Sequence, residues 1–134
     1  MIPTSSVDSV VVDASLLVDA IVHTDRFARR IAGIELHAPV TIDAEMLQAF
    51  RRRWLVHQFD DREAETLFAA FRTLTIIRHP VQPLVERMWS LRRNITAYDA
   101  GYVALAESLN LPLITRDARL SRSTGHAARI EYIA

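Results

Sequence analysis

Four carboxylates close four separate motif segments of this 134-residue chain: Asp13 after Val10-Val11-Val12, Glu45 in Thr41-Ile42-Asp43-Ala44-Glu45, Asp99 in Thr96-Ala97-Tyr98-Asp99-Ala100, and Asp117 in Thr115-Arg116-Asp117. Gathered in one place they would repel one another severely unless a divalent cation neutralised them. Hard oxygen donors of this kind suit Mg²⁺ or Mn²⁺. Each position also has an ordinary structural use. Asp13 and Asp117 can cap helices, Asp99 can complete a box with Thr96, and Glu45 can complement a helix dipole. Asp13 and Asp117, however, both follow apolar strands, which aims them at one edge of a parallel sheet. A divalent-metal site is the leading expectation.

Composition removes several competitors. With no cysteine there is no disulfide framework, thiolate zinc site or thiol nucleophile. Every basic residue is Arg, and the absence of Lys removes P-loop phosphate binding and Schiff-base chemistry. The 16 basic residues balance 16 acidic ones, so the whole molecule lacks the basic excess of many nucleic-acid binders. Setting the four motif acids aside leaves 12 acidic against 16 basic residues, enough for a local positive rim. His23, His37, His57, His79 and His126 are scattered without paired helical spacing, which predicts surface or loop positions. No apolar run is long enough to cross a bilayer, and the polar start lacks the regions of a signal peptide, which predicts a cytoplasmic protein.

The elements that must position the acids alternate along the chain. Ser9 to Val12 reads as a buried strand, and Ala14 to Val22 as an apolar helix capped by Asp13. A polar helix over Asp25 to Ile34 and a strand over Leu36 to Val40 follow, Pro39 marking a sheet edge or a strand end. From Ile42 the spacing is helical, with Glu45 near the first turn, Asp43 taken as a cap and Arg51-Arg52-Arg53 near the end. Asp60 and Glu63 form a capping box for a helix whose Ala64, Leu67, Phe68 and Phe71 make one inward face. Thr75 to Ile77 is a third strand and Pro83 opens a helix through Leu91. The helix from Thr96 stops at Asn110, Leu111 to Thr115 is a fourth strand, Asp117 caps a helix through Ser121, and Arg129 to Ile133 is a final strand. Such alternation predicts a single α/β domain over residues 1–134, its parallel sheet covered on both faces, with a short leader over 1–9.

The ordered set Val-Val-Asp13-Ala-Ser15, Ala-Pro39 with Asp43-Ala-Glu45, Leu91-Arg-Arg-Asn-Ile-Thr-Ala-Tyr-Asp99-Ala with Tyr102-Val-Ala-Leu-Ala-Glu107, and Pro112-Leu-Ile-Thr-Arg-Asp117-Ala-Arg-Leu120 resembles a PIN domain, most closely the VapC toxins. The resemblance runs from about Val10 to the carboxyl end. It implies a three-layer α/β/α PIN-like fold with a central, mostly parallel sheet. It also implies a Mg²⁺- or Mn²⁺-dependent endoribonuclease, the toxin of a type II toxin–antitoxin pair, cutting tRNA or rRNA to inhibit translation. Position by position it places Asp13, Glu45, Asp99 and Asp117 in the acidic site, with Asp13 and Asp99 as direct ligands and Glu45 and Asp117 binding metal or orienting water. Ser15 and Thr115 match supporting hydroxyls, and Arg116 and Arg119 are candidates for RNA phosphates.

The resemblance further implies a homodimer and a VapB-like antitoxin whose carboxyl-terminal segment wraps the toxin. Leu16, Leu17, Val18 and Ile21 are candidates to receive it, unless they belong to the core. Trp89, Tyr98 and Tyr102 have core-like spacing and are expected to pack rather than to stack on bases. A housekeeping RNA- or DNA-processing nuclease, and a non-catalytic module whose acids are only caps, stand as the alternatives.

Overall fold

A computed structural model describes residues 8–23 and 29–134. The leader through residue 7 and the start of the helix expected over Asp25 to Ile34 lie outside the described residues. Strand β1 (Ser9–Val12) carries the valine run, and all three valines are buried. A strand covered on both faces has no place for alternating polar residues, which is why the run is continuous. β2 (Glu35–Pro39) and β4 (Leu113–Thr115) flank it, and β3 (Ile76–His79) and β5 (Ile130–Tyr132) form the edges.

All pairings are parallel, in the order β3-β2-β1-β4-β5. The chain builds outward from β1 through β2 to β3, then returns to the other side of β1 for β4 and β5. This reversal opens a crevice beyond the carboxyl ends of β1 and β4, where open α/β sheets bind ligands. The register pairs Val11 with Leu113 and Val12 with Ile114, which brings Asp13 level with Thr115.

Helices α1 (Ala14–Val22), α2 (Ile42–Leu55) and α3 (Asp61–Thr73) pack on one another. α5 (Ala97–Leu109) lies across β1, β2 and β4 with α4 (Val85–Ser90) against it, which completes the three layers. The short α6 (Ala118–Ser121) follows β4. The expected capping box is present: Glu63 N donates to Asp60 Oδ1 (2.8 Å) and Asp60 N to Glu63 Oε1 (3.2 Å). Asn110 ends α5 in the left-handed conformation at φ 52°. Leu111 N then donates back to Ala106 O, so β4 starts at Leu113 rather than Leu111.

Other expectations are corrected. Leu16, Leu17, Val18 and Ile21 belong to the core and present no receiving surface. Of the two readings of Pro39 the strand end is borne out: it closes β2, an inner strand, where its missing N–H removes at most a terminal ladder bond. Asp43 is not a cap: Thr41 stands at the N-cap of α2, and both Asp43 oxygens take Arg78 of β3 at 2.7 Å. Pro83 opens a 3₁₀ turn over Gln82–Leu84 before α4 begins. Of the α3 face, Phe71 is buried and Ala64 and Leu67 pack partly on the core, while Phe68 is exposed, because α3 rests on neighbouring helices at the periphery.

Candidate active site

The four acids reach the crevice from four segments. Asp13 caps α1, and its Oδ1 accepts from Leu16 N (3.1 Å) and Ser15 Oγ (2.7 Å) while its Oδ2 accepts from the Thr115 hydroxyl. A carboxylate has about four lone-pair sites, so about one remains free. Thr115 Oγ1 also accepts from Asp117 N (2.9 Å), and Ser15 Oγ accepts from Arg116 N (3.1 Å). The two hydroxyls, 3.2 Å apart, lace the end of β1 to the end of β4. Burial pushes the Asp13 carboxyl up in pKa against the pull of these hydrogen bonds, and the Asp99 charge adds to the rise.

Glu45 projects from the first turn of α2, and the buried Tyr102 hydroxyl donates to its Oε2 at 2.8 Å. Its Oε1 is buried with no hydrogen-bond partner. Burial raises the Glu45 pKa, Tyr102 opposes the rise, and the Asp99 and Asp13 charges reinforce it. Asp99 sits in the first turn of α5, capped by Thr96, and burial followed by the Asp117 charge raises its carboxyl. Asp117 caps α6, its Oδ1 accepting from Arg119 N (2.9 Å) and Leu120 N (3.2 Å). The fold thus gathers all four acids into one electrostatically linked set.

A divalent cation fits this set. Every donor is a hard oxygen, and burying Glu45 Oε1 unmet costs about 1–3 kcal/mol. Three carboxyls pushed upward by burial and mutual charge mark a pocket short of positive charge. Among the described residues no three acids or imidazoles converge tightly enough to hold an ion by themselves.

The description "PIN domain" matches residues 10–125, and Ribonuclease VapC12 of Mycobacterium tuberculosis is 39% identical over 128 residues, covering 93% of this chain and 99% of that protein. The chain belongs to the PIN-domain family, among the VapC ribonucleases. This PIN domain also resembles the crystal structure of PAE2754 from Pyrobaculum aerophilum, with a TM-score of 0.67 and 25% identity over 92% of this chain and 90% of that one. VapBC2 from Rickettsia felis, solved bound to a DNA fragment from their promoter, shares the fold with a TM-score of 0.68 and 15% identity, over 94% and 99% of the two chains.

The candidate RNA contacts of the PIN domain divide. Arg116 is held by Asp19 at 2.5 Å and donates through Nε to Ile133 O (3.3 Å). The Arg119 side chain is 73% exposed and stands 3.6 Å from Asp99 and 3.8 Å from Asp117. Tyr102 packs as expected, but its bond to Glu45 is a function that sequence reading missed; its i+3 spacing from Asp99 on one helix face was the available signal. Trp89 (67% exposed) and Tyr98 (63%) do not pack as expected. The histidine expectation is corrected too. His37 is buried on β2, where its Nδ1 meets His79 Nε2 (2.8 Å) and its Nε2 meets Glu35 Oε1 (2.7 Å).

Proposed function

We propose that this PIN-domain chain is a divalent-metal-dependent endoribonuclease, the toxin of a type II toxin–antitoxin pair, which hydrolyses phosphodiesters of tRNA or rRNA to inhibit translation. The observation that carries the reading is the meeting of Asp13, Glu45, Asp99 and Asp117 at the β1/β4 crevice with Glu45 Oε1 buried and unmet. Relatives named as ribonucleases over nearly the whole chain support it. Asp13 and Asp99 would hold Mg²⁺ or Mn²⁺, with Glu45 and Asp117 as further ligands or water-orienting groups. When bound, the ion supplies a water of lowered pKa and neutralises charge developing on phosphorus.

The chain's own groups do the rest. Ser15 and Thr115 fix the Asp13 carboxylate, Tyr102 fixes Glu45, and Glu45 Oε1 is an open acceptor for a proton of the attacking water. Arg119 balances Asp99 and Asp117 while remaining exposed enough to meet a phosphate. The partners of this reading are a VapB-like antitoxin and a second copy of the chain, in the cytoplasm. Among the described residues no helix is long and apolar enough to cross a membrane.

The test is cleavage of total cellular RNA with mapped ends under Mg²⁺ and Mn²⁺. The parent chain is expected to leave 5′-phosphate and 3′-hydroxyl ends, and Asp99→Asn to lose at least about a hundredfold in rate. A 2′,3′-cyclic product, or full activity in Asp99→Asn, would overturn the proposal.

A further inference from the structure

The carboxyl end of the outer strand β3 is held to β2 by a chain of titratable groups that the acidic site does not use. β2 and β3 pair at His37 with Ile77 and at Pro39 with His79, so His37 and His79 share one face of the sheet. His37 is 8% exposed, and both of its ring nitrogens are engaged: Nδ1 with His79 Nε2 at 2.8 Å, and Nε2 with Glu35 Oε1 at 2.7 Å. Ser9 Oγ of β1 donates to the same Glu35 oxygen at 3.2 Å. The bonds from His37 and Ser9 hold the Glu35 carboxyl below its usual pKa, so near neutral pH it only accepts, and the proton on Nε2 belongs to His37. In the neutral ring His37 Nδ1 is then an acceptor, and it takes the Nε2 proton of His79.

This chain of groups tolerates one added proton but not two. A single proton sits on His79 Nδ1, or on His37 Nδ1 once His79 turns its lone pair inward, and either way one N–H lies between the rings. A second proton puts an N–H on both facing nitrogens, two like charges with no acceptor between them in a half-buried place. The rings cannot then stay in contact. Burial, and after it the charge of His37, hold the His79 pKa below 6.5, in line with that conflict. The charged groups on the packed elements are engaged elsewhere. Arg78 of β3 turns to the opposite face and is taken by Asp43 of α2, while Arg87 of α4 and Glu107 of α5 close on each other. On the same two helices Tyr102 serves Glu45, Asp99 lies at the crevice, and Glu86 and Tyr98 are exposed. β3 is an edge strand with a neighbour on one side alone, so its end can part without opening the rest of the sheet. We propose that Glu35, His37 and His79 form an acid-sensitive latch: it closes β3 onto β2 while the two rings share at most one added proton, and the second proton releases the outer strand while the crevice between β1 and β4 keeps its form.

The experiment measures amide hydrogen exchange of the full chain between about pH 7.5 and about pH 5, expressed as protection relative to the unstructured rate at each pH. Val40 N donates to His79 O (2.9 Å) and reports on the latch, while Leu113 N donates to Arg129 O (2.8 Å) and reports on the far side of the sheet. Val40 protection is expected to fall about tenfold or more with acid, while Leu113 keeps its own. His79→Gln offers His37 either a donor or an acceptor and never gains a proton, so it should hold Val40 protection level across the range. His79→Ala should leave Val40 weakly protected at every pH. Ring-nitrogen NMR of the parent, which needs no substitution, should show the second imidazolium appearing over the range in which Val40 opens. A Val40 amide insensitive to acid, an equal acid loss in His79→Gln, two imidazolium rings with Val40 still protected, or Leu113 opening together with Val40 overturns the latch.

Discussion

Asp13 answers two demands that pull in opposite directions. As the cap of α1 it needs to be charged and hydrogen-bonded, and as a buried neighbour of Asp99 it is pushed toward the neutral form. The sequence left capping and ligation as competing uses, and capping does not use up the carboxylate: three donors occupy it and leave about one open site. The acids were legible residue by residue since each ends a recognisable segment. Tyr102 was not, because a hydroxyl on an otherwise apolar helix face looks like packing until Glu45 is placed opposite it. Its role is tested by Tyr102→Phe, which deletes the donor to Glu45 Oε2. Divalent affinity is expected to fall about tenfold in a titration followed by cleavage or by melting. With the bond that lowers the Glu45 pKa gone, the rising limb of the pH–rate profile should move to higher pH. A parental metal titration and an unmoved profile would confine Tyr102 to packing.

Among the secondary elements, alternation of strand and helix was readable from periodicity, and the boundaries mostly hold because caps mark them: Asp13, Asp60, Thr96, Asn110 and Asp117. Lateral order was less readable. Nothing in Leu36-His37-Ala38-Pro39 says that this strand lies inside the sheet, and the burial of His37 depends on His79, forty-two positions away. The same holds for α3, whose spacing predicts an inward face although it docks mainly on α1 and α2. Phe68 therefore stays exposed beside Leu47 and Trp54 in an apolar groove of about 400 Å³ between α2 and α3. Because Phe68 fills no core site, Phe68→Asp is expected to leave ribonuclease activity parental and to shift stability by about 0.5 kcal/mol or less, read in a denaturant melt. A loss of several kcal/mol would show that Phe68 packs as its spacing predicts.

For the whole molecule, neutrality conceals an acidic pocket within an arginine rim, and pH should expose that separation. Asp13, Glu45 and Asp99 have pKa values raised above the ordinary 3.8 and 4.5, so the folded metal-free chain holds protons that the unfolded chain releases. Their contribution to stability is full below the ordinary carboxylate values and is lost as pH rises through the raised ones. His79 runs the other way: its pKa is lowered from 6.5 by burial and by His37, so its contribution is present above that value and is lost as pH falls through the lowered one. A melting curve of the metal-free protein alone would mix the two trends. Subtracting it from the curve with Mg²⁺ or Mn²⁺ removes the His79 part, which is common to both, and leaves the ion's linkage to the acids. At a hundredfold excess over Kd the ion should add about 2.7 kcal/mol near neutral pH, roughly 10 °C in Tm for a chain of this size. The difference should shrink as pH falls through the raised carboxyl values, because protons then compete for the same oxygens, and Asp99→Asn should reduce it at every pH. A difference that is absent, or flat across that range, would mean that these acids neutralise no ion.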